Sequence, residues 1–411
     1  MKPLEMLGAT VLGLLVCLSS AVGQTLEPCQ LPIAVHAYEP LVGQPLTDAK
    51  FSQPAEGSGV TNPGQAMVAT FTTAIGPISI ALDSTSAEGK RPDLVRFDFG
   101  GSGKFNDTDV APFKAESMAP NYYRGQSTPV SLSFERDGRT IYVSPRVEYY
   151  KYGNQRHASL RMVVAGKAAC RFGDQSRHVM VIDGNSNLRL DDVSQPGKEW
   201  LGVNPGDTLL IADEAGSLEG AGAQTILLGQ PFMLGEKLYT VEVGPDGWSV
   251  TPKLYDQPTG MLQVAHERWE GVFAGRQHVV RLTGGNQPQP VPADAYAVVE
   301  YSEYPSGEQS KSPLSLQVEA GRIRPDRAKR CEVAAGQTAQ MAVGSPLTVE
   351  PEVQVRDRQV TVGMKLADAA EAPNQVTVAL THAQEGRAKP PQVVIRDSAG
   401  KQVHSGKLEY G

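Results

Sequence analysis

The sequence predicts a mainly β protein, with a larger N-terminal β-domain followed by two small β-sandwich modules of immunoglobulin-like kind. Three observations carry this expectation. Glycine and proline are frequent, 42 and 30 of 411 residues, so turns recur along the whole chain. The apolar runs between those turns are short and alternate with polar residues, the period of a half-buried strand. Asp-Gly dipeptides join such runs at Asp137-Gly138 and Asp246-Gly247, where glycine accepts the positive φ of a tight hairpin turn.

The chain opens with Lys2, an apolar stretch over 7–18 and small residues over 19–23, the pattern of a secretory signal peptide cleaved after Gly23. Val16 before Cys17 is too bulky for a lipid-attachment signal, so the mature chain is expected to be secreted or periplasmic. Beyond the signal no stretch is long and apolar enough to predict a membrane-spanning helix. Cys29, Cys170 and Cys331 remain, an odd number in an oxidising compartment, which predicts one disulfide with either one free thiol or an intermolecular bond, the pairing among the three being open.

Residues 24–65 lack sustained periodicity and read as an irregular leader. The N-terminal β-domain spans 66–229, with strands expected at 66–72, 78–82, 94–99, 130–134, 140–143, 160–165 and 178–182. A middle sandwich-like domain follows over 230–321, with strands at 238–243, 248–251 and 296–301. Within it, segment 261–273 fits both helical and strand spacing and is assigned to strand from its surroundings. Five basic residues and one Asp crowd 322–330, a composition that suits a polyanion patch, a processing site or a solvated linker; beside proline it favours the last, and 322–332 is assigned to a basic linker. The C-terminal Ig-like domain, 333–411, carries alternating runs at 347–355, 359–366, 375–380 and 392–395, and is expected to lack its closing strand.

The constellation richest in chemistry is residues 183–192, DGNSNLRLDD. Calcium takes six to eight oxygens, which loops supply from alternate residues. Asp183, Asn185 and Asn187 hold the first, third and fifth places of such a loop, the Arg189 carbonyl the seventh, and Asp191 the ninth. Leu188 stands where such loops want glycine, and Ser194 where they want a bidentate Glu, so any calcium site is expected to be weak. The competing expectation is an Asx-rich turn whose side chains satisfy their own backbone. The loop also has echoes. Segment 95–107 aligns with 179–192 when Asp98 is set on Asp183, which matches Phe105 to Leu190 and Asp107 to Asp192. A shorter echo over 209–219 places Asp213 in the leading position.

The succession of Cys170 to Asp174, 181–187, 206–211, 238–247, Pro258-Thr259-Gly260 and 405–411 resembles secreted bacterial multi-domain β-proteins with DGNxN-type loops, a group with no assigned activity. The resemblance implies Gly at the place of Leu188 and a chain continuing past Gly411.

A net charge of -7 argues against binding nucleic acid by phosphate neutralisation. The sequence holds no GxSxG, HExxH, GxxxxGK[ST] or GxGxxG pattern. Asp191 and Asp192 are adjacent, and on a strand would face opposite ways, a poor acid/base couple. His178 precedes Asp183 on an expected strand, where a structural role is the simpler account. The function expected is therefore an exported, non-enzymatic binding or structural protein of the cell envelope, with an envelope component or polysaccharide as partner. The rival is a secreted hydrolase whose catalytic residues are dispersed along the chain.

Overall fold

A computed structural model describes residues 23–30, 45–85, 91–119, 122–198, 203–204, 206–219, 222–304, 314–320, 324–344, 348–356, 359–367, 376–382, 386–387, 392–396 and 398–407. The expected signal peptide lies outside them, apart from Gly23 at its cleavage site, as does the end of the chain at 408–411. The protein is mainly β, built from antiparallel sheets, with one 3-10 turn at Ala215–Glu219 and no α-helix among the described residues. No helix among them is long and apolar enough to cross a membrane.

The largest sheet has nine strands. Gln155–Val163, Arg139–Tyr152, Tyr122–Ser127, Val110–Ala119, Leu94–Asp98, Gly76–Asp83, Met67–Thr73 and Lys50–Ser52 run side by side, and Leu132–Arg136 pairs with the start of Arg139–Tyr152. The expected hairpin forms at Asp137-Gly138, and both residues take positive φ, 49° and 74°. Along Arg139–Tyr152 the alternation sends Ile141, Val143, Val147 and Tyr149 into the core and leaves Tyr142, Tyr150 and Tyr152 exposed.

A five-stranded sheet, Gln224–Leu227, Thr208–Ala212, Gln175–Ile182, Ala165–Phe172 and Glu27–Pro28, packs against it. Its central strands are buried on both faces. Val179, Val181, Leu209 and Ile211 enter the main core, while Met180, Ile182, Leu210 and Ala212 enter a smaller one on the opposite side. The loop of interest leaves this sheet directly after Ile182.

The leader is more ordered than its composition predicts. Gln24–Thr25 pairs with Ser249–Leu254 and Glu27–Pro28 with Ala165–Phe172, and between them Leu26 is fully buried in the main core. Strands Phe232–Leu234, Lys237–Val243 and Ser249–Leu254 lie past residue 229, yet Phe232, Tyr239, Val241 and Val250 belong to the same core, with Phe172 edge-on to Tyr239 at 5.4 Å.

The next core begins at Leu262 and includes Trp269, Phe273, Tyr296 and Tyr301. Segment 261–273 is shared between two strands, Thr259–Val264 and Trp269–Ala274, with a bend at 265–268 between them. The basic run joins this unit: the Arg330 guanidinium donates to the carbonyls of Ala274 and Ala295 at 3.0 and 2.7 Å. Cys331–Val333 pairs with Asp294–Glu303, and Thr338–Met341 runs parallel to Thr259–Val264. Val376–His382 pairs with Leu314–Ala320; one hairpin, Thr348–Arg356 with Gln359–Ala367, precedes Val376–His382 in the chain, and another, Gln392–Arg396 with Gln402–Lys407, follows it.

The disulfide expectation is corrected. No disulfide joins Cys29, Cys170 and Cys331 to one another, because their folds of origin keep them apart: Cys170 lies in the main core, Cys29 in the smaller one, and Cys331 beside the second unit's core.

Candidate functional site: the Asp183 loop and its cleft

Asp183 ends strand Gln175–Ile182 and is almost wholly buried. Its Oδ1 accepts the backbone N–H of Asn185 at 3.0 Å and its Oδ2 that of Leu188 at 2.7 Å. Asn185 Oδ1 in turn accepts from the Asn187 N–H at 3.1 Å, and Asn187 Oδ1 from the Arg189 N–H at 2.7 Å. The loop is thus a succession of Asx turns around one buried carboxylate.

The side-chain amides of Asn185 and Asn187 both donate to Asp192 Oδ2, at 3.1 and 2.5 Å. Asp207 closes the far side, its Oδ1 accepting the Gly184 N–H at 3.0 Å and its Oδ2 the Asp192 N–H at 2.8 Å. Of the residues singled out from sequence, Asp183, Asn185 and Asn187 come together. Asp191 instead turns to the Arg189 guanidinium, accepting Nε at 2.7 Å and Nη2 besides.

Asp192 and Asp207 were missed as members of the cluster. The repeat alignment already marked Asp192 through its match to Asp107. Asp207 carries no local signal, for it arrives from a separate segment, just ahead of strand Thr208–Ala212. Among the described residues no group of three or more His, Cys, Asp or Glu is arranged to hold a metal ion.

Burial pushes the Asp183 carboxyl up to about 7, against the pull of the backbone N–H groups that favour its charged form. Burial and then the charge of Asp183 push Asp207 up to about 8. The main chain passes tightly here: a Cβ on Gly184 would meet the Gly206 carbonyl oxygen at 2.0 Å.

The repeat is real in three dimensions. Asp98 Oδ1 accepts the N–H two residues on, Gly100, at 3.2 Å, and its Oδ2 the N–H five residues on, Gly103, at 2.6 Å. Those are the offsets of Asn185 and Leu188 from Asp183. The left-handed residues also coincide, Gly101 (φ 63°) and Gly103 (φ 74°) in one copy, Ser186 (φ 62°) and Leu188 (φ 66°) in the other. Phe105 and Leu190 are both buried. The third echo does not form this loop: Asp213 pairs with Arg177 at 3.0 Å and the chain enters the 3-10 turn.

A cleft of about 410 Å³ opens beside the second copy. Leu188 and Arg189 form one wall, the hairpin turn from Arg136 to Arg139 a second, and the turn from Pro245 to Trp248 a third. Ile75, Phe134 and Ile141 line it from the large sheet. The Arg139 guanidinium lies 5.4 Å from the centre of the Trp248 ring. Asp246 Oδ1 holds its own turn, accepting from the N–H groups of Trp248 and Ser249 at 3.0 Å each.

Two histidine–carboxylate pairs occupy the second unit, His278 with Asp294 at 3.1 Å and His266 with Glu303 at 3.3 Å. Burial works against the Asp294 charge, but His278 and the N–H groups of Gln277, Arg276 and Ala295 hold its carboxyl well below the usual range. Neither pair lines the cleft. No protein-family model, curated protein or solved structure matches this chain.

Proposed function

We propose that this chain is an exported, non-enzymatic binding or structural protein of the cell envelope, with an envelope polysaccharide as its partner. The observation that supports it most is the pairing of a rigid, self-bonded loop with a concave cleft. The carboxylates at the loop's centre serve main-chain N–H groups rather than facing a reacting atom. The loop's work is then to hold Leu188 and Arg189 in the cleft wall. In this proposal the chain beyond Leu254 supplies two Ig-like modules that display the binding domain at the cell surface or in the periplasm.

Co-sedimentation of the full chain with purified envelope polysaccharide, alongside cell fractionation, tests the assignment. Binding in the exported fraction is expected; retention in the cytoplasm with no polysaccharide binding would overturn it.

The proposal includes a weak calcium site on the same loop. Its donor set is all oxygen, as a hard cation requires, and Asp183, Asn185, Asn187, Asp192 and the Arg189 carbonyl would hold the ion. Asp191, paired with Arg189, would need to leave that partner to take part. Calcium at a hundredfold excess over its Kd would stabilise the chain by about 2.7 kcal/mol, read as a rise in Tm. Asp192→Asn should abolish that rise while leaving the metal-free Tm close to wild type. No rise at saturating calcium removes the site from the proposal.

A further inference from the structure

We infer that the cleft beside the Asp183 loop binds a carboxylate-bearing sugar, a uronate unit of an acidic glycan, with Arg139 receiving the carboxylate. The inference rests on the binding-protein assignment and names its ligand class.

Arg139 is the key. A guanidinium has five N–H donors and normally finds acceptors for several of them. Arg189 is committed to Asp191, and Arg136 stands 3.6 Å from Asp137. The Arg139 guanidinium makes neither an ion pair nor a hydrogen bond among the described residues; it lies over the face of Trp248, and its charge helps to hold down the Asp246 carboxyl across the cleft. Stacking on an indole fixes the plane of the fork and leaves its edge open, the arrangement suited to a bidentate carboxylate. Of the cleft's three arginines, Arg189 and Arg136 each face an aspartate, Asp191 and Asp137, which leaves Arg139 as the one whose charge is not already paired among the described residues.

The rest of the cleft selects the body of the ligand. Its floor is apolar, made by Phe134 and Ile141 with Leu188 in the wall beside them, and the acceptors Asp137 and Asp246 lie among the donors that line it. A pyranose ring has that same division, with an apolar C–H face and a girdle of hydroxyls that both donate and accept. A simple anion would have no use for the floor, and an acyl chain none for the acceptors. The volume, about 410 Å³, lies in the range of small-ligand sites.

Backbone strain points to the same place. Leu188, in the cleft wall, takes a left-handed conformation that costs a non-glycine residue about 1–2 kcal/mol, whereas the equivalent position in the Asp98 loop is Gly103. Strain of this kind persists where the surrounding structure enforces it and is concentrated at functional sites. A leucine there adds an apolar side chain to the cleft's lining, where a glycine would add none.

Calorimetric titration of the full chain with trigalacturonate tests the inference, with neutral galactotriose and inorganic phosphate as parallel arms. Saturable binding of trigalacturonate is expected, at least tenfold tighter than either control. Arg139→Gln should weaken it by about 10- to 100-fold, the loss of a charge-assisted hydrogen bond, and Arg139→Lys by less. Equal binding of the neutral trisaccharide, equal binding of phosphate, or an unchanged affinity in Arg139→Gln with wild-type Tm would each overturn it. If the Arg139→Gln chain still sediments with envelope polysaccharide, the binding-protein assignment stands and this cleft is not its site.

Discussion

Leu188 is the residue at which local preference and tertiary demand conflict. Its N–H must reach Asp183 Oδ2 to complete the loop, and that fixes its φ at 66°. Its side chain is buried in the main core, and burial of a leucine is worth about 2 kcal/mol, which offsets the left-handed strain. Asp207 shows a second conflict, a carboxyl buried beside another carboxyl. Its folded-state pKa is raised above the unfolded value, so it binds its proton more tightly when folded. The stability this contributes is fully present below about pH 4 and is lost as pH rises through about 8. Asp207→Asn should therefore lose least against wild type at pH 8 and most at pH 5, measured by urea unfolding across that range. A stability difference independent of pH would contradict the assignment.

At the scale of the element, the same loop is made twice by different residues. The Asp98 copy uses glycine at both left-handed positions, while the Asp183 copy uses Ser186 and Leu188 and fixes them from outside. The Ser186 hydroxyl accepts the Met162 N–H at 3.2 Å, and Asp207 grips Gly184. Gly184→Ala should be a severe change, since its Cβ would meet backbone, not a movable side chain, at 2.0 Å. A loss of about 3 kcal/mol is expected in chemical denaturation, the upper end of overpacking costs.

Much of this was legible in sequence. Alternation and Asp-Gly turns marked the hairpins, and the 85-residue offset between Asp98 and Asp183 marked the repeat. Asp207 was not legible, because a carboxylate that caps a loop from a separate segment leaves no spacing to read. The role of 24–28 was hidden for a related reason: strands of two residues have no period, and only the burial of Leu26 reveals them. The cleft was out of reach as well, since Arg139, Leu188 and Trp248 converge from three segments.

Across the whole molecule, the units are joined through buried polar contacts. Gln230 donates to the Ser194 carbonyl at 2.5 Å and accepts the Val279 N–H at 2.8 Å, tying the loop's trailing segment to the first strands of the next core. Arg330 plays the same part within the second unit, its guanidinium drawing the basic run onto two carbonyls that strands Trp269–Ala274 and Asp294–Glu303 present. The last residue of the charge run is in this way part of a core's edge, while Arg324, Arg327 and Lys329 face solvent. The loop sits on this framework as a preformed element, closed by its own carboxylates before any ligand or ion arrives. Amide hydrogen exchange over the full chain in EDTA tests that most directly. The Leu188 and Gly103 amides, each bonded to a loop carboxylate, should exchange as slowly as those of the strands Gln175–Ile182 and Leu94–Asp98. Fast exchange at Leu188 in EDTA that slows only when calcium is added would show a loop that the ion builds, and would contradict the account.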